Sequence, residues 1–181
     1  MQRELRVLLF TSVLVNLAAG FFAPIYALFV EDIGGSLSDA GTAYSILAVI
    51  TGVLIFFIGK WEDKIKHQER LVIWGRFVTF VGFLGYLWVD SVLDLYLVHV
   101  VLGVSYALTV PAFQSLYSKH LDKGKYASQW GAWNSWVWIV TGISALAGGF
   151  LAEIYGFRVL FWLMAGFTGL GWVVSFMLRE R

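Results

Sequence analysis

Long apolar runs separated by short polar connectors dominate this chain. Six runs are long enough to cross about 30 Å of hydrocarbon, which takes roughly 20 helical residues. They cover residues 7–30, 41–60, 71–89, 94–118, 129–152 and 159–178. The pattern predicts an all-α membrane protein with six transmembrane helices, folded as one domain over residues 1–181.

The first run follows Arg3 and Arg6, a beginning that a cleaved signal peptide would share. It continues past Gly20 to Val30, roughly 24 residues, which is longer than the apolar core of a signal peptide. We therefore expect a spanning helix that the mature protein retains. That this sequence is a truncated piece of a longer protein stays open as an alternative.

Composition supports the membrane class. Of the 181 residues, 59% are hydrophobic and 14% are charged, and mean hydropathy is +0.75, so too few charges remain to cover a soluble domain. The formal net charge of +1 gives no reason to expect a nucleic-acid partner. The chain has no cysteine, which excludes disulfides and thiolate metal sites.

No arrangement of residues favours an enzyme, a metal site or a cofactor. A Ser-His-Asp site or a metal cage needs clustered ligands, whereas the three histidines lie in separate elements, at His67, His99 and His120. No glycine-rich phosphate loop precedes a helix. We expect neither catalysis nor ATP-driven transport by this chain alone.

Basic residues are concentrated on one side of the predicted membrane. Of the 13 lysines and arginines, 12 lie before the first span, around the second and fourth connectors or after the last span, and Arg158 lies opposite. By the positive-inside rule both termini are cytoplasmic. The cluster around the second connector consists of Lys60, Lys64, Lys66, Arg70 and Arg76.

With the basic residues assigned to connectors, we expect no charged residue in the middle of a span, so proton coupling by a buried carboxylate is not supported. His99 is then the titratable candidate inside a span. It is either a neutral histidine hydrogen-bonded between helices or a proton relay. Pro24 and Pro111 indicate either broken helices near a site or simple kinks.

The two halves of the chain repeat each other at an offset of 90 residues. An odd number of spans per repeat places the second copy in the membrane upside down. The sequence therefore predicts an inverted repeat of three plus three helices, with units of approximately 1–90 and 91–181. The matched pairs are Gly41 and Gly131, Ser45 and Ser135, Thr51 and Thr141, Gly52 and Gly142, Gly59 and Gly149, and Asp63 and Glu153.

Small residues also recur every seven positions in the second and fifth spans, which places them close to one helix face. Such a face lets another backbone approach closely. We predict that these two faces form the contact between protomers, and packing inside one protomer is the alternative. The residues are Ser45, Gly52 and Gly59 in the second span and Ser135, Gly142 and Gly149 in the fifth.

Motifs in the first four spans resemble those of the major facilitator superfamily of transporters. Gly59, Asp63 and Lys64 match the signature Gly-x-x-x-Asp-Arg/Lys that follows the second helix in that family. In the fourth span, His99-x-x-x-Gly103 is similar to the family's Arg-x-x-x-Gly pattern, with histidine at the arginine position.

The last two spans carry the resemblance further. Gly142, followed by Ala147-Gly148-Gly149, resembles the family's glycine motif in the fifth helix, and Gly156-Phe157-Arg158 resembles the entry to the sixth. The resemblance covers essentially the whole chain, which corresponds to the amino-terminal half of a usual twelve-helix member. It implies the six-helix half-fold of this family.

The resemblance also implies a solute cavity lined by the first and fourth helices. Aromatic faces beside amide groups suit a small neutral or amphipathic solute, because rings bury apolar faces while amides bind polar edges. For the tryptophans, anchoring at the membrane interface is the alternative. The cavity candidates are Asn16, Tyr26, Tyr106, Thr109 and Gln114, with Trp130, Trp133 and Asn134 near the start of the fifth span.

Asp63 has two interpretations. In the family the equivalent acid closes the inner gate by contacting the other half, which implies a conformational latch. The alternative is a solvated acid neutralised by its basic neighbours.

The leading functional hypothesis is a half-sized facilitator of the cell membrane that homodimerises in the lipid bilayer to form a twelve-helix pathway for a small-molecule solute. The alternative is a non-transporting membrane interaction protein that associates with another transporter half.

Overall fold

The computed structural model describes residues 3–178, and within that range the chain is helical, with no strand. Five of its helical stretches are long and apolar enough to cross a membrane, which confirms an all-helical membrane protein. Arg179 and Arg181, the two basic residues that follow the last predicted span, lie outside the described range. The helices are α1 (Arg3–Phe22), α2 (Tyr26–Asp32), α3 (Leu37–Glu62), α4 (Gln68–Gly85), α5 (Val92–Lys119) and α6 (Tyr126–Ser175).

The predicted first span consists of α1 and α2, separated by a 3-10 turn at Ala23–Ile25. Pro24 lies in this turn and has no backbone N–H, so it cannot donate the hydrogen bond that would continue the α-helix. Pro111, by contrast, lies inside the uninterrupted helix α5. Of the two prolines, Pro24 therefore marks a break and Pro111 does not.

The predicted fifth and sixth spans appear as the single helical run α6, which has 50 residues and would be about 75 Å long if straight. Gly156 interrupts it with φ 76° and ψ 171°, which are not helical. The interruption divides α6 into a first segment, 126–155, and a second segment, 157–175. The chain turns at one residue because glycine adopts a positive φ without a steric penalty. The five stretches differ from the six predicted spans at this point.

The beginnings of α3 and α5 lie together at one end of the bundle. Ser36 and Asp39 form a capping box at the start of α3, and the Ser91 hydroxyl accepts a hydrogen bond from the Asp94 backbone N–H at the start of α5. The Tyr96 hydroxyl, on α5, donates to the Asp39 carboxylate at 2.9 Å. This contact joins the two capped ends.

The opposite end is held by the buried side chain of Gln68, at the start of α4. Its amide oxygen accepts hydrogen bonds from the Ser115 hydroxyl and from Lys119 Nζ, both at 2.8 Å. Its amide nitrogen donates to the Glu62 backbone carbonyl at 3.4 Å. The last turns of α3 and α5 are therefore tied to the first turn of α4.

The helix contacts fall into two groups, one around α6 and one around α5. α1 runs along α6, while α5 packs against both α3 and α4, and α4 also contacts α6. A side chain at Gly148 would clash with the Phe21 backbone, so glycine lets α6 touch α1 directly. A side chain at Gly103 would likewise collide with Ile50, where α3 meets α5. α1 and α5 barely touch each other, which leaves a groove between them.

Candidate functional site

A cavity of about 240 Å³ occupies the groove between α1 and α5. α4 contributes one side chain to the lining and the first segment of α6 contributes another. Apolar side chains such as Val15 and Phe113 alternate with polar ones around the cavity. The groove therefore combines a mostly apolar wall with a few polar groups, as solute sites in proteins do.

Five of the eight predicted solute residues line this cavity, and a sixth lies next to it. Tyr26 lines an adjoining cavity of about 210 Å³, which shares Ala19 and Tyr106 with the first. The two cavities together form a continuous groove along α1 and α5. The five residues in the first cavity are Asn16, Tyr106, Thr109, Gln114 and Trp133.

The two remaining candidates do not line the groove. Trp130 packs against Tyr117, with ring centroids 4.6 Å apart, and the exposed Asn134 donates from its amide to the Trp130 carbonyl at 3.0 Å. Trp130 lies one turn before Trp133 on the same side of α6, with their ring centroids 5.6 Å apart. Its ring therefore packs against the aromatic cluster next to the cavity and does not line the cavity itself.

Several polar groups in the first cavity already have partners inside their own helix. The Asn16 amide donates to the Ser12 carbonyl at 2.8 Å, and the Thr109 hydroxyl donates to the Ser105 carbonyl at 2.8 Å. These bonds use the donors and leave the Asn16 amide oxygen as an acceptor. Gln114 is exposed on the cavity wall.

Arg76 lines the same cavity, and the sequence analysis missed it by counting it with the basic connector. It lies eight residues beyond Gln68, about 12 Å into α4, and its side chain is only 6% exposed. Its Nε has no hydrogen-bond partner among the described residues. The expectation that no charged residue lies in the middle of a span is therefore wrong for Arg76, which is the ninth of the 18 residues of α4.

A signal for this position was present in the sequence. Arg76 falls within the predicted span 71–89, in helical register with Thr79 and Phe83 at spacings of three and four. Both of those residues are buried in the structure. A basic residue on the buried face of a span faces the bundle interior or a cavity rather than the connector.

The adjoining cavity contains His99, which is buried on α5. Its Nδ1 lies 2.9 Å from the Leu95 carbonyl of the same helix, so this hydrogen bond stays within α5. A hydrogen bond between helices was one of the two alternatives for His99. The Tyr26 ring lies 5.5 Å from the imidazole, and the Tyr26 hydroxyl is buried without a hydrogen-bond partner among the described residues.

Aromatic rings fill the bundle beside this second cavity. Phe22 packs edge-on against Tyr86 at 5.1 Å and against Phe161 at 5.2 Å. Phe29 contacts Phe161 at 4.9 Å. These contacts join α1, α2 and the second segment of α6, so this end of the groove has an aromatic wall.

The motif residues at the end of α3 lie outside the groove. The Asp63 backbone N–H donates to the Gly59 carbonyl at 3.2 Å, and the side chains of Asp63 and Lys64 are exposed. The neighbouring Glu62 is only 2% exposed, and its Oε1 has no partner among the described residues. Gly103 lies at the contact between α3 and α5, which gives it a packing role.

The small-residue faces of α3 and of the first segment of α6 are uncovered by the rest of the described chain. A Cβ atom added at Gly52, Gly59, Gly142 or Gly149 would meet no atom within 4 Å. Ser45 and Ser135 are exposed as well. Only 6% of the apolar window of α3 is buried. Among the described residues, these faces therefore pack against nothing inside one protomer.

Comparison with known proteins agrees with the fold. Residues 8–181 match the family model of the Major Facilitator Superfamily. The chain is 27% identical over 181 residues to an uncharacterised MFS-type transporter of Methanocaldococcus jannaschii, covering 99% of this chain and 46% of that protein. It is 27% identical over 179 residues to the multidrug resistance protein MdtG of Escherichia coli, covering 94% of this chain and 43% of that protein.

A third relative is shorter. The chain is 27% identical over 150 residues to the uncharacterised MFS-type transporter YitZ of Bacillus subtilis, covering 80% of this chain and 88% of that protein. The chain thus spans about half the length of the first two relatives and most of the third.

The five apolar helices and these matches indicate a multi-pass integral membrane protein of the cell membrane, related to transporters rather than to enzymes. The family model covers nearly the whole chain, and the all-helical fold agrees with it. This chain belongs to the Major Facilitator Superfamily.

Proposed function

We propose that this chain is one half of a secondary transporter and faces a second half across the groove between α1 and α5. The observation that carries the proposal is the position of the cavity, which lies between two helices that barely touch. A second half placed over this groove would give the cavity its missing wall. The solute would then bind between the halves, near the middle of the bilayer.

Six membrane crossings with cytoplasmic termini follow from this proposal. The break at Gly156 supports two crossings by α6, because 50 helical residues exceed the roughly 20 needed for one. The basic residues of the second and fourth connectors support the orientation by the positive-inside rule. The inverted repeat of three plus three helices is part of the same proposal.

For this chain acting alone, the second half is a second copy. The two halves of a family member are related by an axis along the membrane normal, which is the relation that a symmetric homodimer of this chain would have. The uncovered faces of α3 and α6 flank the groove and offer small residues for close helix contact. They would form the contact between protomers.

The solute is an amphipathic small molecule. Phe113 and Trp133 supply aromatic surface in the cavity, while Asn16 and Gln114 supply amide groups. This mixture suits a compound with an apolar body and a polar edge. The relative from Escherichia coli, which carries the name multidrug resistance protein, agrees with such a solute.

The proposal can be tested with the purified chain. Its mass in mild detergent should correspond to a dimer, and vesicles holding it should take up at least one member of a panel of anionic, neutral and cationic fluorescent amphipathic dyes. Empty vesicles provide the control. A strict monomer that binds and moves no dye of any charge would contradict the proposal and favour an interaction protein.

A further inference from the structure

We propose, building on the transporter function above, that Arg76 makes the groove an anion site and that the solute is an organic anion with an aromatic body. The buried guanidinium group of Arg76 lies in a cavity of about 240 Å³. The charge of the solute then follows from this side chain, since neither the family nor the relatives determine it.

Arg76 has no counter-charge in the described part of the chain. The ion pair found between residues 3 and 178 joins His67 and Glu69, at 2.9 Å, and no carboxylate there pairs with Arg76. Its Nε is buried and makes no hydrogen bond. Burying a charged group without a partner is costly, so a charge inside a membrane protein marks a binding site or a pathway by default.

The side chains around Arg76 do not supply a negative charge either. The titratable residue beside it in the cavity is Tyr106, whose phenol is ordinarily neutral at physiological pH. The other polar groups are the amides of Asn16 and Gln114 and the hydroxyl of Thr109. The cavity therefore has a fixed positive charge that an anion would neutralise.

A guanidinium group suits a carboxylate or phosphate because its N–H groups can donate two parallel hydrogen bonds to two oxygen atoms. The Gln114 amide, exposed on α5 and lining the same cavity, offers a further donor. Phe113 and Trp133 also line the cavity and pack together with ring centroids 5.5 Å apart. An aromatic body can lie against these rings while its charged group binds Arg76.

Two alternatives to an anion site at Arg76 are distinguishable by experiment. A carboxylate from the second half could neutralise Arg76 across the interface, and the site would then not prefer anions. A solute could also use only the aromatic wall. In both cases replacing Arg76 would leave the charge preference of binding unchanged.

The test uses 2-naphthoate and 2-naphthamide, which share the same rings and differ in the charge of one small group. Binding of tritiated 2-naphthoate to the full chain in nanodiscs is measured at neutral pH, with each compound as the competitor. We expect the carboxylate to bind roughly tenfold more tightly than the amide, as a charge-assisted hydrogen bond to arginine would produce.

Three variants complete the test. Arg76→Gln should reduce the preference to within about twofold, and Arg76→Lys should keep part of it because the positive charge remains. Lys123→Gln, on the exposed connector between α5 and α6, is the matched control and should leave the preference unchanged. Dimer mass and melting temperature of each variant establish that it is folded.

The possible results separate this inference from the transporter proposal. Equal binding of the two compounds by the unmodified chain, or a preference that survives in a folded Arg76→Gln, would overturn the anion site. If the chain binds neither compound but moves a neutral or cationic dye, the anion site is wrong and the transporter stands. If the chain binds neither compound and transports no dye, both proposals are wrong.

Discussion

At the scale of single residues, three buried polar groups have no hydrogen-bond partner in the described part of the chain. They are the Tyr26 hydroxyl, Glu62 Oε1 and Arg76 Nε. Tyr26 and Arg76 face the groove, where a solute could supply the missing partner. Glu62 lies at the end of α3, away from the groove. An unsatisfied buried group of this kind costs roughly 1–3 kcal/mol, and more when charged.

Replacing Glu62 with glutamine should therefore stabilise the protein. Glu62→Gln removes a buried charge that has no partner while it keeps the shape of the side chain, so we expect a gain of roughly 1 kcal/mol or more in the free energy of unfolding. Thermal melting in detergent would measure it. Asp63→Asn, a charge change at the exposed neighbouring residue, should have little effect. A lower melting temperature for Glu62→Gln would show that Glu62 has a stabilising partner.

His99 should adjust transport without being essential to it. Its Nδ1 is held by the Leu95 carbonyl, and the glutamine amide in His99→Gln can donate to the same oxygen. We expect dye uptake by vesicles to change severalfold and to remain measurable between about pH 6 and 8, the range in which an ordinary histidine titrates. Complete loss of uptake at every pH, in a folded dimer, would instead establish His99 as an obligatory relay.

At the scale of helices, α6 uses two faces of its first segment differently. Gly148 contacts the Phe21 backbone of α1, whereas a Cβ at Gly142 would face open space. The two glycines are six residues apart on the same helix and therefore lie on different sides of it. They form a natural pair for separating internal packing from contact between protomers.

Substituting leucine at each glycine should give opposite results. Gly148→Leu should prevent stable folding. Overpacking typically costs about 1–3 kcal/mol, and the cost here should be higher because the neighbouring atoms belong to the Phe21 backbone, which cannot move aside as a flexible side chain can. Gly142→Leu should fold normally but convert the dimer to a monomer, because the new side chain blocks close approach of the partner helix. Mass in mild detergent distinguishes the cases. A Gly142→Leu protein that remains dimeric with unchanged stability would exclude this face as the interface.

Much of the helix arrangement could be predicted from the sequence, since a span requires an apolar run of fixed length. The predicted connector 153–158 contains the break at Gly156. Asn16 and Thr109, which the sequence analysis named as cavity candidates, line the same cavity in the structure. Arg76 and Glu62 were missed because charged residues near the ends of apolar runs look like connector residues. Whether such a side chain turns inward depends on neighbouring helices, which a single sequence does not specify.

At the scale of the whole molecule, the basic connector after α3 would face the start of α6 in the partner protomer. A carboxylate near a helix amino terminus meets unpaired N–H groups and the positive end of the helix dipole, an interaction worth roughly 0.3–2 kcal/mol. Asp63 is exposed in this connector and is free to make that contact. Such an energy is enough to shift a two-state gate severalfold without being needed for folding.

The Asp63 latch can be measured as accessibility of the groove. A cysteine introduced by Gln114→Cys on the exposed cavity wall reports access from the cytoplasmic side. Adding Asp63→Asn should raise its labelling rate severalfold by a membrane-impermeant maleimide while the dimer stays intact. The natural chain has no cysteine, so the background labelling is low. Equal rates with and without Asp63→Asn would contradict the latch.

The weak contact between α1 and α5 also determines how the groove can deform. Its two walls are joined beneath by α4 and the second segment of α6, where Phe77 and Trp172 lie 4.8 Å apart. We therefore expect a relative motion of α1 and α5 to pivot about α4. For helix axes about 9 Å apart, tilting one wall by roughly 10° would widen the mouth of the groove by about 1.6 Å. Because Arg76 belongs to α4, we expect its guanidinium group to move less than the side chains that α1 and α5 contribute to the groove.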